Sequence, residues 1–180
     1  FRKMHVFEKP GDRVLVLMTS GNLAVAQSAV HILHEQVTHS DTRTSLHNVH
    51  NLFDAAGLVG EALREVRRRA APALREHGID FTAAFILGGQ IAGEAPRLFH
   101  VYAAGNFIEA TLDTPYVQSG ESKYGKPILD RVITRSSSLA EAAKCALISM
   151  DSTIRSNLSV GLPLDLVIVR RDECRISSHV

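Results

Sequence analysis

Residues 14–18, Val-Leu-Val-Leu-Met, form a short apolar run that stops at Thr19-Ser20-Gly21-Asn22 and passes at once into a long segment with apolar residues at helical spacing. This junction constrains the chain more than any other stretch, because a buried strand must deliver a glycine directly to a helix start. A helix start presents unpaired backbone N–H groups and the positive end of the helix dipole, and a glycine there lets another molecule come close to the backbone. The junction suits an oxyanion or another anion.

The residues around it extend the pattern. Met4 to Phe7 alternate weakly and Glu8-Lys9-Pro10-Gly11-Asp12 carries turn chemistry, so residues 4–18 read as a β-hairpin. Leu23, Ala26, Val30, Leu33 and Val37 recur at spacings of three and four, which predicts a helix over 22–38 with Asn22 as its cap. Leu52, Ala56, Val59, Leu63, Val66, Ala70 and Leu74 predict a second helix, kinked or interrupted at Pro72 and closed by His77-Gly78. Runs at 81–87, 98–103 and 107–110, separated by Gly88-Gly89, Gly93-Glu94-Ala95-Pro96 and Ala104-Gly105-Asn106, read as an antiparallel meander.

Tyr116-Val117 leads into Ser119-Gly120 and then a helix over about 128–133 beginning near Pro127, which repeats the opening order of strand, Ser-Gly and helix. Ser138-Leu139-Ala140-Glu141 fits a capping box, and Leu139, Ala143, Leu147, Met150 and Ile154 continue it as an amphipathic helix that Gly161 and Pro163 break. Residues 164–169 have almost no polar face and read as a strand in a sheet covered on both sides. Strands, two helices, strands, two helices and a strand imply an α+β chain in which two sheets lie between helix layers.

A chain of 180 residues with 45% hydrophobic content is enough for one domain with a substantial core, residues 1–180. Twenty basic against nineteen acidic residues leave no global field for nucleic acid or an anionic membrane, and Arg67-Arg68-Arg69 reads as a solvated helix face. Gly88-Gly89-Gln90 matches the tripeptide of translation release factors but sits between strand-like runs, where two glycines are turn residues. Two cysteines, Cys145 in the core and Cys174, are far from a disulfide framework and favour a reducing, cytoplasmic setting. No apolar run approaches the roughly 20 residues that span a bilayer, so a soluble protein is expected. The chain opens at Phe1 with neither an initiator methionine nor a signal pattern, so residues are expected to precede it.

No phosphate-cradling or dinucleotide glycine fingerprint is present, and no cofactor is expected. His31, His34, His39, His47 and His50 crowd one stretch, and a metal-binding module on His31, His34, His47 and His50 is one reading. No cysteine or carboxylate completes a known ligand order there, which favours surface or interface histidines.

Four segments carry a resemblance that covers nearly the whole chain: 1–8, Phe-Arg-Lys-Met-His-Val-Phe-Glu; the Ser20-Gly21-Asn22-Leu23-Ala24 junction; 119–131, from Ser119-Gly120-Glu121 to Asp130-Arg131; and 155–166, from Arg155-Ser156-Asn157-Leu158-Ser159 to Asp165-Leu166. In these the chain resembles the proteasome-type N-terminal nucleophile hydrolases, and most closely the bacterial proteasome-like family called Anbu. The resemblance implies a four-layer αββα fold and a threonine at the mature N-terminus, whose hydroxyl is the nucleophile and whose amino group is the general base. That nucleophile belongs to a first hairpin expected to precede Phe1 by about thirty residues, so no residue of this chain is assigned to it.

Lys3 matches the lysine near the nucleophile, whose cation would lower the nucleophile's proton affinity. Gly21 matches the glycine whose backbone N–H forms the oxyanion hole. Asn157 and Ser159 are the nearest matches to an aspartate and serine that orient the amino group, with Ser119 as the facing hydroxyl. Asparagine can hydrogen-bond an amine but brings no negative charge, a departure from active proteasome subunits.

The resemblance further implies self-association into a homo-oligomeric ring or spiral, for which the alanine-rich stretch 140–146 offers a packing face. The leading expectation is a subunit of a self-compartmentalising, threonine-type peptidase or amidase that cleaves peptide or protein substrates through an acyl-enzyme. The alternative is a catalytically silent structural subunit of a proteasome-like assembly.

Overall fold

The computed structural model describes residues 2–179. Strands β1 (Met4–Lys9) and β2 (Arg13–Gly21) form the expected hairpin, in register from Met4 opposite Met18 to Lys9 opposite Arg13, with the Asp12 N–H donating to Lys9 O at 2.9 Å in the turn. Residues 14–17 of β2 have no polar face in sequence because they are covered on both sides. Leu15 and Leu17 belong to the main core, and the alternate residues Val14 and Val16 are buried on the opposite face.

Helix α1 (Leu23–Thr38) starts where β2 ends, with the Asn22 side chain accepting from the Ala24 and Val25 N–H groups at 3.0 and 3.2 Å. It buries Val25, Ala26, Ala29, Val30 and Leu33, close to the predicted stripe. Helix α2 (Leu52–Glu76) is capped by Asn51 and packs beside α1 on the sheet. Pro72 does not interrupt it: near the last turn a proline forfeits one backbone hydrogen bond, and the helix runs on to Glu76 before His77-Gly78 closes it. The triple arginine is solvated as read, with Arg68 and Arg69 paired to Glu65.

The loop between the helices is held from the sheet. Arg13, buried in β2, donates through Nη1 to Val49 O at 2.9 Å and Leu46 O at 3.4 Å, while its Nε meets Asp12 at 2.7 Å. Three carbonyl and carboxylate acceptors compensate the buried guanidinium.

β3 (Ala83–Ile91), β4 (Arg97–Tyr102) and β5 (Phe107–Glu109) complete one antiparallel sheet in the order β1-β2-β3-β4-β5. The meander is as expected, except that Gly88-Gly89 is strand interior and not a turn. Gly89 lies opposite Leu15, and a Cβ on it would come within 2.0 Å of Val14 O, so backbone proximity and not chain reversal demands the glycine. The reversal comes at residues 92–94, where the Glu94 N–H reaches Ile91 O at 3.0 Å.

The remainder is α3 (Lys126–Val132), α4 (Leu139–Ser156) and a second antiparallel sheet of β6 (Val167–Val169) with β7 (Ile176–His179). The capping box at α4 is reciprocal, as read. α3 meets α4 at Gly125, where an added Cβ would stand 2.4 Å from Ser149 Oγ and 2.7 Å from Thr153 Oγ1. Tyr116-Val117 forms no strand: Pro115 removes a ladder donor, and the Tyr116 hydroxyl ties the segment to Asp130 on α3 instead. The strand expected over 164–169 shrinks to three half-buried residues, since its partner is one short hairpin arm. That hairpin docks on the first sheet by polar contacts, with Gln90, fully buried, bonding both the backbone N–H and the carboxylate of Asp172 at 2.8 Å.

The result is α+β, two antiparallel sheets accompanied by helices α1 and α2 on one side and the α3–α4 pair on the other. Among the described residues no helix is long and apolar enough to cross a membrane.

Candidate active site

At the end of β2, Ser20 donates its hydroxyl proton to Ala84 O at 3.0 Å. Its oxygen also lies 2.6 Å from Ser119 Oγ, and since Ser20 has only one proton, Ser119 is the donor between them. The two Ser-Gly pairs read from the sequence therefore meet, 99 positions apart.

Gly21 follows with φ +92°, and a Cβ there would lie 2.5 Å from Thr82 O. The glycine is required by the backbone itself, because β3 begins against it and the Asn22 N–H bonds the same Thr82 O at 2.8 Å. Gly21 is nevertheless exposed on its outer side, at the N-terminus of α1. Lys3 stands on the other flank of β2. Its carbonyl accepts from the Thr19 N–H at 2.8 Å and the Thr19 hydroxyl at 3.3 Å, and the residue is exposed.

The second half of the site comes from the loop after Ser119 and from the end of α4. Asn157 caps α4, its N–H bonding Thr153 O at 2.8 Å, and its side-chain Oδ1 accepts from both the N–H and the hydroxyl of Ser159, at 2.9 and 2.6 Å. Asn157 Nδ2 donates to Glu121 Oε2 at 2.9 Å. The other carboxylate oxygen of Glu121 accepts from the Lys123 N–H at 2.7 Å. That backbone bond, followed by the Asn157 contact, holds the Glu121 carboxyl below the usual carboxylate range.

Of the residues singled out in sequence, Ser119 thus reaches the β2 junction, and Asn157 with Ser159 forms a bonded pair linked to the Ser119 loop through Glu121. Ser20 and Glu121 were not singled out. The signal was present: each belongs to a Ser-Gly pair or directly follows one, but a glutamate two residues after a serine has no distinguishing spacing.

A cavity of about 500 Å³ adjoins this loop, bounded by Gln118, Gly120 and Ser122 on one side and by His100, Glu109 and Asp130 on the other. Its charges are largely paired: Arg97 donates to both Glu109 oxygens at 2.7 Å, and Lys126 donates to both Asp130 oxygens at 2.7 Å. Those bonds hold the Glu109 and Asp130 carboxyls below their ordinary values, whereas burial lowers His100.

Among the described residues no group of three or more His, Cys, Asp or Glu is placed to hold a metal ion, and residues 46–50 form a loop pinned by Arg13 and not the helix that would align His47 with His50. His34 packs instead on Phe7, ring centres 4.7 Å apart, and lies 6.2 Å from His5. Burial and then His34 lower the His5 pKa, and burial followed by the Arg13 charge lowers that of His47.

No protein-family model and no curated protein matches this sequence. Solved structures do. The chain is similar to Anbu (ancestral β-subunit) from Yersinia bercovieri, 52% identical with a TM-score of 0.94, over 100% of this chain and 74% of that one. It is similar over the same shares to Anbu from Hyphomicrobium sp. strain MC1, at 48% identity and a TM-score of 0.88. A helical assembly of the Anbu complex from Pseudomonas aeruginosa provides a third likeness, 49% identical with a TM-score of 0.94 over 100% and 74% of the two chains.

Proposed function

This chain belongs to the Anbu family of proteasome-like β-subunits, and we propose that it is a subunit of a self-assembling, cytoplasmic, threonine-type peptidase or amidase, built as one proteasome-subunit-like domain. The observation that supports this reading is the Ser20–Ser119 contact at 2.6 Å, which joins the loop carrying Ser119 to the strand end carrying Gly21, while Glu121 links the same loop to Asn157.

In the proposed reaction the nucleophile is a threonine preceding Phe1 in the encoded protein. Its hydroxyl oxygen attacks the substrate carbonyl carbon while its amino group takes the proton. The C–N bond then breaks, the amine leaves with that proton, and water hydrolyses the resulting ester. The Gly21 N–H faces the developing oxyanion, and one such donor is worth about 3 kcal/mol in acyl-transfer hydrolases. Lys3 supplies a cation that lowers the nucleophile's proton affinity, and Ser119, Asn157 and Ser159 orient the amino group. Self-association is supported by the exposed apolar residues Leu139, Leu147 and Ile148 on α4 and by the helical assembly of the Pseudomonas aeruginosa relative.

Incubating the full-length protein with a hydroxyl-directed peptide electrophile and measuring intact mass tests the proposal. A single adduct on an N-terminal threonine is expected, and Lys3→Ala should slow its formation roughly a hundredfold. An unmodified protein, or an N-terminal residue without a nucleophilic side chain, would leave the structural subunit. Gly21 is a poor test residue, since its φ and its contact with Thr82 mean that any side chain would damage folding together with activity.

A further inference from the structure

We propose that Glu121 is the anionic positioning residue of this site, fixing Asn157 so that its carbonyl oxygen holds Ser159. For its effect on rate this rests on the peptidase reading. Its structural content stands apart from that reading.

The argument starts from the two ends of an amide. Asn157 can present either oxygen or nitrogen to Ser159; the Ser159 N–H, which only donates, takes the oxygen on one side, and the nitrogen on the other side needs a neighbour that only accepts. A carboxylate is such a neighbour, because it accepts and never donates. Glu121 Oε2 at 2.9 Å from Nδ2 therefore anchors the nitrogen and, together with the Ser159 N–H, keeps the oxygen on Ser159.

Asn157 Oδ1 then takes the Ser159 N–H at 2.9 Å and the Ser159 hydroxyl at 2.6 Å. With its single proton committed to Asn157, Ser159 Oγ shows the site only lone pairs. It becomes an acceptor, the polarity needed to receive an N–H from an amine.

The carboxylate is itself held. Its second oxygen is bonded to the Lys123 N–H at 2.7 Å, and the Glu121 backbone oxygen accepts from Gln118 Nε2 at 2.5 Å. Glu121 follows Ser119-Gly120, so one short segment places both the hydroxyl that meets Ser20 and the charge that meets Asn157. The negative charge that an asparagine cannot supply is thus present one hydrogen bond away. The Lys123 ammonium is the charged group in electrostatic contact with it, and like the Lys123 N–H it favours the ionised carboxyl.

Three variants of the full-length assembled protein test this. Glu121→Gln keeps the length and an acceptor oxygen but removes the charge, Glu121→Ala removes both, and Glu121→Asp keeps the charge. Thermal midpoint, kcat and KM on a fluorogenic peptide, and a crystal structure of Glu121→Ala are measured. The expected result is an unchanged midpoint and KM, kcat reduced about tenfold or more in Glu121→Gln and Glu121→Ala, and partial recovery in Glu121→Asp. In the Glu121→Ala crystal the Asn157 side chain, no longer anchored at Nδ2, should swing away and release the Ser159 hydroxyl.

Wild-type kcat in Glu121→Gln would overturn the role of the charge. An undisturbed Asn157–Ser159 pair in Glu121→Ala would overturn the positioning. If Glu121→Ala does not fold, the crystal structure of Glu121→Leu, which also lacks an acceptor, serves, with the same displaced Asn157 side chain expected. Should the wild-type protein neither turn over peptide nor take up an electrophile, the peptidase reading fails by itself, and the crystal structure still decides whether Glu121 holds the pair.

Discussion

Helices α1–α2 and helices α3–α4 were built by the same sequence rule and ended with opposite interiors. Beneath α1 and α2 the buried side chains are large and apolar, with Leu33, Leu52, Leu63, Phe85 and Phe99 all inaccessible to solvent. Between α3 and α4 they are small and polar: the buried stripe of α4 is Cys145, Ser149 and Thr153, while its Leu139, Leu147 and Ile148 face outward. The first region is held by water leaving apolar surface. The second is held by close approach at Gly125 and by bonds such as Thr153 Oγ1 to Ser149 O at 2.9 Å. The site draws one half from each, Lys3, Ser20 and Gly21 from the first region and Ser119, Glu121, Asn157 and Ser159 from the second.

The largest effect should come from the apolar side. Phe85→Ala removes a fully buried ring and is expected to cost about 3–5 kcal/mol in denaturant unfolding, whereas Leu147→Ala on α4 should stay within about 0.5 kcal/mol. Comparable losses for the two would erase the contrast. Next is Gly125→Ala, whose methyl would press on Ser149 Oγ and Thr153 Oγ1 and should cost about 1–3 kcal/mol. Hydrogen exchange should show that loss in α3 and α4 while α1 and α2 stay protected, and uniform loss would make the two regions one cooperative unit.

The seam itself is smaller. Ser20→Ala and Ser119→Ala each remove the 2.6 Å hydroxyl contact, and a double-mutant cycle should return a coupling of about 1 kcal/mol; strict additivity would mean that the halves meet without holding each other.

Acidification should have the mildest effect and should separate the regions by pH. His5 and His47 have lowered pKa values in the folded chain, so the unfolded chain binds protons first, and their contribution is whole above pH 6.5 and lost as pH falls from there through the lowered values. Among the shifted groups of the second region, Glu121, Asp130 and Glu141 are carboxylates with lowered pKa values, whose contributions persist until pH falls below the ordinary carboxylate range. Melting at pH 7.5 and 5.5 should therefore reveal a small loss that His47→Gln reduces. A loss indifferent to that substitution would place the sensitivity elsewhere.

What could be read in the sequence follows the same division. The β1–β2 hairpin and α1 with its Asn22 cap appear as read, and so do α2 apart from Pro72 and the meander apart from Gly88-Gly89, because apolar periodicity reports burial wherever burial is apolar. The same rule found α4 by its capping box but not its inward face, since Cys145, Ser149 and Thr153 carry no apolar signal. Gly88-Gly89 was misread because a glycine that lets two strands approach and a glycine that turns a chain look alike in one sequence. Of the site, Ser119, Asn157 and Ser159 came from resemblance and not from spacing. Glu121 stayed invisible because its partner Asn157 lies 36 positions away and only the fold brings them together.

The pairing of β2 with β3 has a consequence in time. Ser20 bonds Ala84, 64 residues further along, and both helices lie between them. At a synthesis rate of about 5–20 residues per second, β2 leaves the ribosome roughly 3 to 13 seconds before β3 can reach it. Throughout that interval its free edge is a row of unpaired donors and acceptors on an apolar strand, the kind of edge that recruits other nascent chains. The speed of translation across α1 and α2 therefore sets how long this protein is prone to aggregate during its own synthesis.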